Sequence, residues 1–148
     1  QPHVNQLCEK IFQKLGLLKY LKSFIPTKYI KMLYNAIVRP NFDYCDIVWG
    51  NCNKGTFEKV FRMQKRASRI LTGAPYCAPS EPLFKQLRWN SLSNNIEFHK
   101  CVLVYKALNQ LAPTYIRDKL VYTSEVTSRP TRSTTKCHLY IPEPKITA

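Results

Sequence analysis

The sequence predicts an all-α fold, a bundle of about five or six helices with a short extended C-terminal tail. Two observations lead there. Apolar residues recur at helical spacing through most of the chain up to about Leu120, and proline, glycine or small polar residues stand between those stretches. With 148 residues and 45% hydrophobic content, the chain has the size and the apolar material for one domain with its own core.

Val4, Leu7, Cys8, Ile11, Leu15 and Leu18 predict a first helix over about residues 4–18, with Gly16 loosening its end. Thr27 is the expected cap of a second helix reaching about Val38, where Tyr29, Ile30, Leu33, Tyr34 and Ile37 form one face and Pro40 marks a kink or stop. Residues 41–50, "NFDYCDIVWG", are aromatic and β-branched, and their periodicity fits a strand or a helix equally. A third helix is expected over about residues 56–72, with Thr56 as cap, Glu58 in the first turn and Gly73 just past the end.

"APYCAPSEPL" is a proline-rich connection that leads through Ser80, as N-cap, into the short helix "EPLFKQL". Residues 92–111 then carry Ile96, Phe98, Val102, Leu103, Val104, Tyr105 and Leu108 with few polar positions, the pattern of a central helix. Pro113 begins one more short helix in "APTYIRDKL". The chain divides by composition into a helical part, 1–121, and a polar basic arm, 122–148, which ends in the strand-like "CHLYIP".

Charge narrows the function. Against 23 Lys and Arg there are nine Asp and Glu, a formal net charge of +14, so an anionic partner is expected and nucleic acid leads. A membrane is the competitor, yet no run of about 18 apolar residues, signal-peptide pattern or lipidation box is found. The six cysteines lie largely in apolar or helical stretches and read as reduced thiols, which suggests a nuclear and cytoplasmic location. Beginning at Gln1, the sequence reads as a piece of a longer polypeptide whose neighbours hold the activity.

On a helical wheel of residues 56–72, Lys59, Arg62, Lys65, Arg66 and Arg69 fall within about a third of a turn, opposite Phe57, Val60, Phe61, Ala67 and Leu71. Such a stripe fits a phosphate backbone, where each cation displaces a condensed counterion, and it fits a solvated helix face as well. Glu58 can pair with Arg62 four residues on. Arg129 and Arg132, with Lys136, form a second basic group in the arm. Tyr34, Phe42, Tyr44, Trp49 and Trp89 could stack on bases, although most share faces with aliphatic residues and suit the core.

Catalysis finds little support. Asp43 and Asp46 suit a cap or ion pair better than a metal, since no third ligand or glycine loop accompanies them. The spacing of Cys45, Cys52 and Cys77 matches no zinc pattern, and His99 lies on the Ile96 and Leu103 stripe, as a hydrogen-bonded core histidine would.

The succession "HVNQLCEKIFQKLGLLKYLKSFIP", "LYNAIVRPNFDYCDIVWG", "FEKVFRMQKRASRILTG", "LFKQLRWNSL", "HKCVLVYKALNQLAPTYI" and "SRPTRSTTK" resembles the C-terminal part of reverse transcriptases from non-LTR, LINE-type retrotransposons of the jockey-like group. The resemblance covers nearly the whole chain. Its most specific points are Tyr34, Pro40, Tyr44, Val48, Trp49 and Gly50, then Gln64, Arg66, Ala67 and Arg69, then Leu87 and Trp89, then Tyr105, Lys106, Ala112 and Pro113. His3 would stand just beyond the palm and primer-grip region.

The resemblance implies a helical thumb and the region after it, closing over an RNA/DNA duplex held for the palm domain of the same parent polypeptide. The stripe of Lys59, Arg62, Lys65, Arg66 and Arg69 becomes the expected duplex-facing surface, joined by Arg129 and Arg132. The palm's paired aspartates are not in this chain, and "DYCD" does not replace them, so no catalytic residue, cofactor or small-molecule substrate is expected here; the divalent metal belongs to the missing palm. Two rivals stand beside this reading: a basic helical module that docks an acidic protein or that palm, and a decayed transposon fragment.

Overall fold

The computed structural model describes residues 2–126 and 138–140. In chain order they form α1 (Pro2–Leu21), α2 (Thr27–Leu33), a π-helical segment (Tyr34–Val38), α3 (Arg39–Asp43), α4 (Asp46–Trp49), α5 (Lys54–Thr72), α6 (Ser80–Leu87), α7 (Leu92–Leu108), α8 (Thr114–Arg117) and α9 (Thr123–Val126). The fold is all-α, and the extended pairing among the described residues is a single antiparallel bridge between Tyr122 and Leu139. Packing divides the chain into Gln1–His99 and Lys100–Ala148, a boundary that falls inside α7. The compositional division at 121/122 follows polarity instead.

In the first unit α1 is the hub. Val4, Leu7, Ile11, Leu15 and Leu18 are buried at steps of three and four residues, so one face of α1 packs against α2, the π segment and α5. Each such aliphatic side chain contributes about 1.5–3 kcal/mol on burial. That sum holds the helix through Gly16 to Leu21, beyond the expected end at Leu18, because one exposed glycine costs only about 1 kcal/mol.

Pro40 neither stops nor sharply ends the second helical stretch. The backbone widens into π geometry just before it, with the Arg39 amide donating to the Tyr34 carbonyl, and continues as α3 to Asp43. A proline lacks an amide and crowds the preceding turn. Asn41 tightens the turn just after the π segment: its Nδ2 donates to the carbonyls of Ile37 at 2.7 Å and Val38 at 2.9 Å. Residues 41–50 resolve as helix broken once, where Tyr44 is extended and Cys45 is left-handed at φ 52°, before α4 begins. Trp49 closes that break by donating its Nε1 hydrogen to the Tyr44 carbonyl at 2.9 Å.

Three expected caps move upstream. Asn53 rather than Thr56 caps α5, its Oδ1 accepting from the Thr56 amide at 2.8 Å. Thr27 and Ser80 are the first residues of α2 and α6, each preceded by an extended proline, Pro26 or Pro79, which already sets the entry angle. Helix α7 is not central as its composition suggested: Leu92 and Ile96 are buried in the first unit, while Phe98 is exposed there and Tyr105 and Leu108 are exposed in the second. A helix apolar on every side carries no phase to say which side the core covers.

In the second unit α7 ends at Leu108, earlier than Leu111, with Gln110 left-handed at φ 60°. Pro113, expected to begin the last short helix, stands just before α8, which starts at Thr114. The polar arm expected from Tyr122 onward begins with the helical turn α9, while Arg129, Arg132, Lys136 and half of "CHLYIP", Cys137, Ile141 and Pro142, lie outside the described residues.

Candidate nucleic-acid interface

Helix α5 lies on the core through Val60, Gln64, Ala67, Ser68 and Leu71. Two of those five are polar. Ser68 donates to the Lys65 carbonyl at 2.8 Å, whereas Gln64 reaches another element: its Oε1 accepts the buried Leu92 amide at 2.9 Å and its Nε2 donates to the Asn90 carbonyl at 3.0 Å. Gln64 thereby fixes α5 against the start of α7 and satisfies an amide that the helix N-terminus leaves unpaired.

The opposite face carries the five cations, and the structure divides them. Lys59 and Arg62 are exposed. Glu58 sits 3.2 Å from Lys65 Nζ and 4.0 Å from Arg62 Nε, so it neutralises the first half of the ridge more through Lys65 than through the expected Arg62. Lys65 also lies 4.0 Å over the Phe61 ring. Arg66 packs 4.5 Å over Phe12 of α1, and Arg69 donates its Nε hydrogen to the Ala78 carbonyl at 2.9 Å.

The second half of the ridge joins α1. Lys19 and Lys22 come up beside Arg66 and Arg69, with Ile70, Gly73, Ala74 and Tyr76 completing an open cleft of about 360 Å³. Among the described residues no acidic side chain lines it. Lys22 is fixed by donating to the Ile70 carbonyl at 2.6 Å, near the end of α5, where a cation also meets the negative end of the helix dipole. Gly73 ends α5 in the left-handed region at φ 77°, and a Cβ there would stand 2.9 Å from Lys22 Nζ. A one-signed cleft in low-dielectric walls concentrates its field on an anion. Lys19, Lys22 and Tyr76 were not read from the sequence, because no periodicity tells which ends of two helices meet.

The remaining candidates are engaged elsewhere. Tyr34, Phe42 and Trp49 are buried, Trp89 stacks on Tyr34 with ring centroids 4.5 Å apart, and Tyr44 stands exposed. Asp43 pairs with Arg39 at 3.4 Å in the same helix. Buried Asp46, on the far side of the break, accepts from or bonds to Nδ1 of half-buried His99, which ties α4 to α7. These carboxylates do not converge, and among the described residues no group of three or more His, Cys, Asp and Glu could hold a metal ion. Cys8, Cys45, Cys52, Cys77 and Cys101 are free thiols, and Cys137 lies outside the described residues. No helix among the described residues is long and apolar enough to cross a membrane.

Sequence comparison adds to this basic surface a relative of known kind. The chain resembles part of a transposon polymerase. It is 25% identical over 101 residues to the "Probable RNA-directed DNA polymerase from transposon BS" of Drosophila melanogaster. The match covers 66% of this chain and 11% of the Drosophila protein, so the chain spans about a tenth of that relative's length. The Drosophila similarity supports a reverse transcriptase-related region. No family model matches the chain, and no solved structure matches it.

Proposed function

We propose that this chain is the thumb and post-palm region of a reverse transcriptase from a jockey-like, non-LTR retrotransposon. It holds an RNA/DNA primer-template duplex for a palm domain of the same parent polypeptide, inside the cell, in cytoplasm and nucleus. The observation that carries this reading is the basic ridge and cleft across α1 and α5, on a chain of net charge +14. The Drosophila similarity supports the parentage.

Contacts of this kind position a duplex through phosphate and shape and leave base sequence unread. Lys59 and Arg62 track the backbone along α5, and Arg66 and Arg69 continue the track into the cleft; Arg129 and Arg132, outside the described residues, are proposed as further phosphate contacts. Nucleotide addition, with its divalent metal, belongs to the palm; this chain binds and orients without catalysing.

The test is fluorescence anisotropy of a labelled RNA/DNA duplex at several salt concentrations, beside the triple variant Lys59→Glu, Arg62→Glu, Arg66→Glu, with helicity checked by circular dichroism. The expected slope of log affinity against log salt is about −3 or steeper in the parent and flattened by about 2–3 in the variant. A folded parent that ignores the duplex at low salt, or a variant that binds as tightly, removes the proposal.

A second reading rests on a separate observation. Leu17 and Tyr20 of α1 and Phe24 just after it, three and four residues apart, are 50%, 65% and 69% exposed, an apolar strip on the side away from α1's buried face. It favours docking of the palm, and an association that is insensitive to salt would be its mark.

A further inference from the structure

At its edge the cleft carries an aromatic ring that is almost wholly open to solvent. Tyr76 lines it and is 87% exposed, the most exposed of the large apolar side chains among the described residues. Packing gives that ring no reason to be there. We propose that the cleft seats one unpaired nucleotide, its phosphate among Lys19, Lys22, Arg66 and Arg69 and its base stacked on Tyr76. This rests on the nucleic-acid reading above and narrows it, at this place, to a single-stranded or frayed segment.

The site is organised before any ligand arrives. Arg69 holds the turn that carries Tyr76, through its bond to the Ala78 carbonyl, and that turn is closed by the Ala78 amide donating to the Pro75 carbonyl at 3.0 Å. The backbone that carries Tyr76 is therefore held beside the cations, and the Arg69 guanidinium stands 5.9 Å from the Tyr76 ring. Lys22 is held at Ile70 O in the same way. Each engaged cation uses one donor on the protein and keeps others, since a guanidinium has five N–H groups and an ammonium three.

The volume, about 360 Å³, is in the range of small-ligand sites. The apolar wall of Ile70 and Ala74 suits a sugar or base edge and offers no side-chain donor to choose among bases. A paired duplex buries its base faces in the stack and presents phosphates, sugars and groove edges, so it offers Tyr76 no face along its length. A ring beside a phosphate seat is the arrangement that grips single strands without sequence preference.

The experiment compares a labelled oligothymidylate with a blunt RNA/DNA duplex, using the whole chain, its Tyr76→Ala and Tyr76→Trp variants, and thermal melting to verify folding. Because Tyr76 is exposed, both variants melt like the parent. Tyr76→Ala weakens oligothymidylate binding roughly fivefold to a hundredfold, Tyr76→Trp restores it, and duplex affinity moves by less than about twofold. Oligothymidylate binding that is indifferent to Tyr76→Ala, or equal losses on both probes, overturns the inference. If the duplex is still bound in that case, the proposed function survives; if neither probe is bound, both fall.

Discussion

Tyr34 lies under Trp89, and burial raises its phenol above the ordinary tyrosine range; Arg39 pulls it down and Asp43 pushes it up by smaller amounts. Above a pH of about 10 the unfolded chain loses this proton while the folded chain keeps it, so the stability it confers is complete below that pH and lost as pH rises. Urea titrations at rising alkalinity are expected to find the midpoint falling less steeply in Tyr34→Phe than in the parent. Parallel curves would mean that other groups dominate alkaline unfolding. At this scale the sequence was legible where a residue acts within its own helix: the burial of Val60, Ala67 and Leu71 follows from spacing. It was silent where a side chain serves a distant backbone. Gln64 stood out only through a family resemblance, and its two bonds to Asn90 and Leu92 depend on a loop 26 and 28 residues away.

Helix boundaries were legible to within a few residues, and the errors share a cause. Thr56 was read as the cap of α5, and the structure gives that place to Asn53, whose backbone is extended and whose side chain reaches the Thr56 amide; only the path of the backbone decides which residue does so. Asn53→Ala is expected to lower stability by about 0.5–2 kcal/mol in chemical denaturation, and Thr56→Ala by clearly less. The reverse order would make Thr56 the cap in solution. Gly50 sits at the end of α4, where a Cβ would stand 2.5 Å from the Asp46 carbonyl oxygen and 2.9 Å from Ile96. That close approach explains a glycine between two helices whose contact no periodicity announces. Helix α7 misled for the opposite reason, since apolar residues on all sides left its orientation undefined.

For the whole molecule the dominant quantity is the net charge of +14. Crowded like charges oppose the compact state, and salt screens them over a Debye length that shrinks to about 10 Å at 0.1 M. The melting temperature of the free chain is therefore expected to rise on adding sodium chloride through that range. A flat response would mean that the positive charges are already spaced or paired well enough to be harmless. The all-α architecture was legible because, among the described residues, five helices of seven residues or more carry it. The cleft was not, because it arises where the ends of α1 and α5 converge. One local feature has a bearing on relatives of this chain. A π turn contains one residue more than the α turn it replaces, so residues 34–38 are a place where a homologous sequence can be a residue shorter and keep helical backbone on both sides. Alignments that open a one-residue gap there, and not beside Pro40, would keep the buried positions before and after it in step.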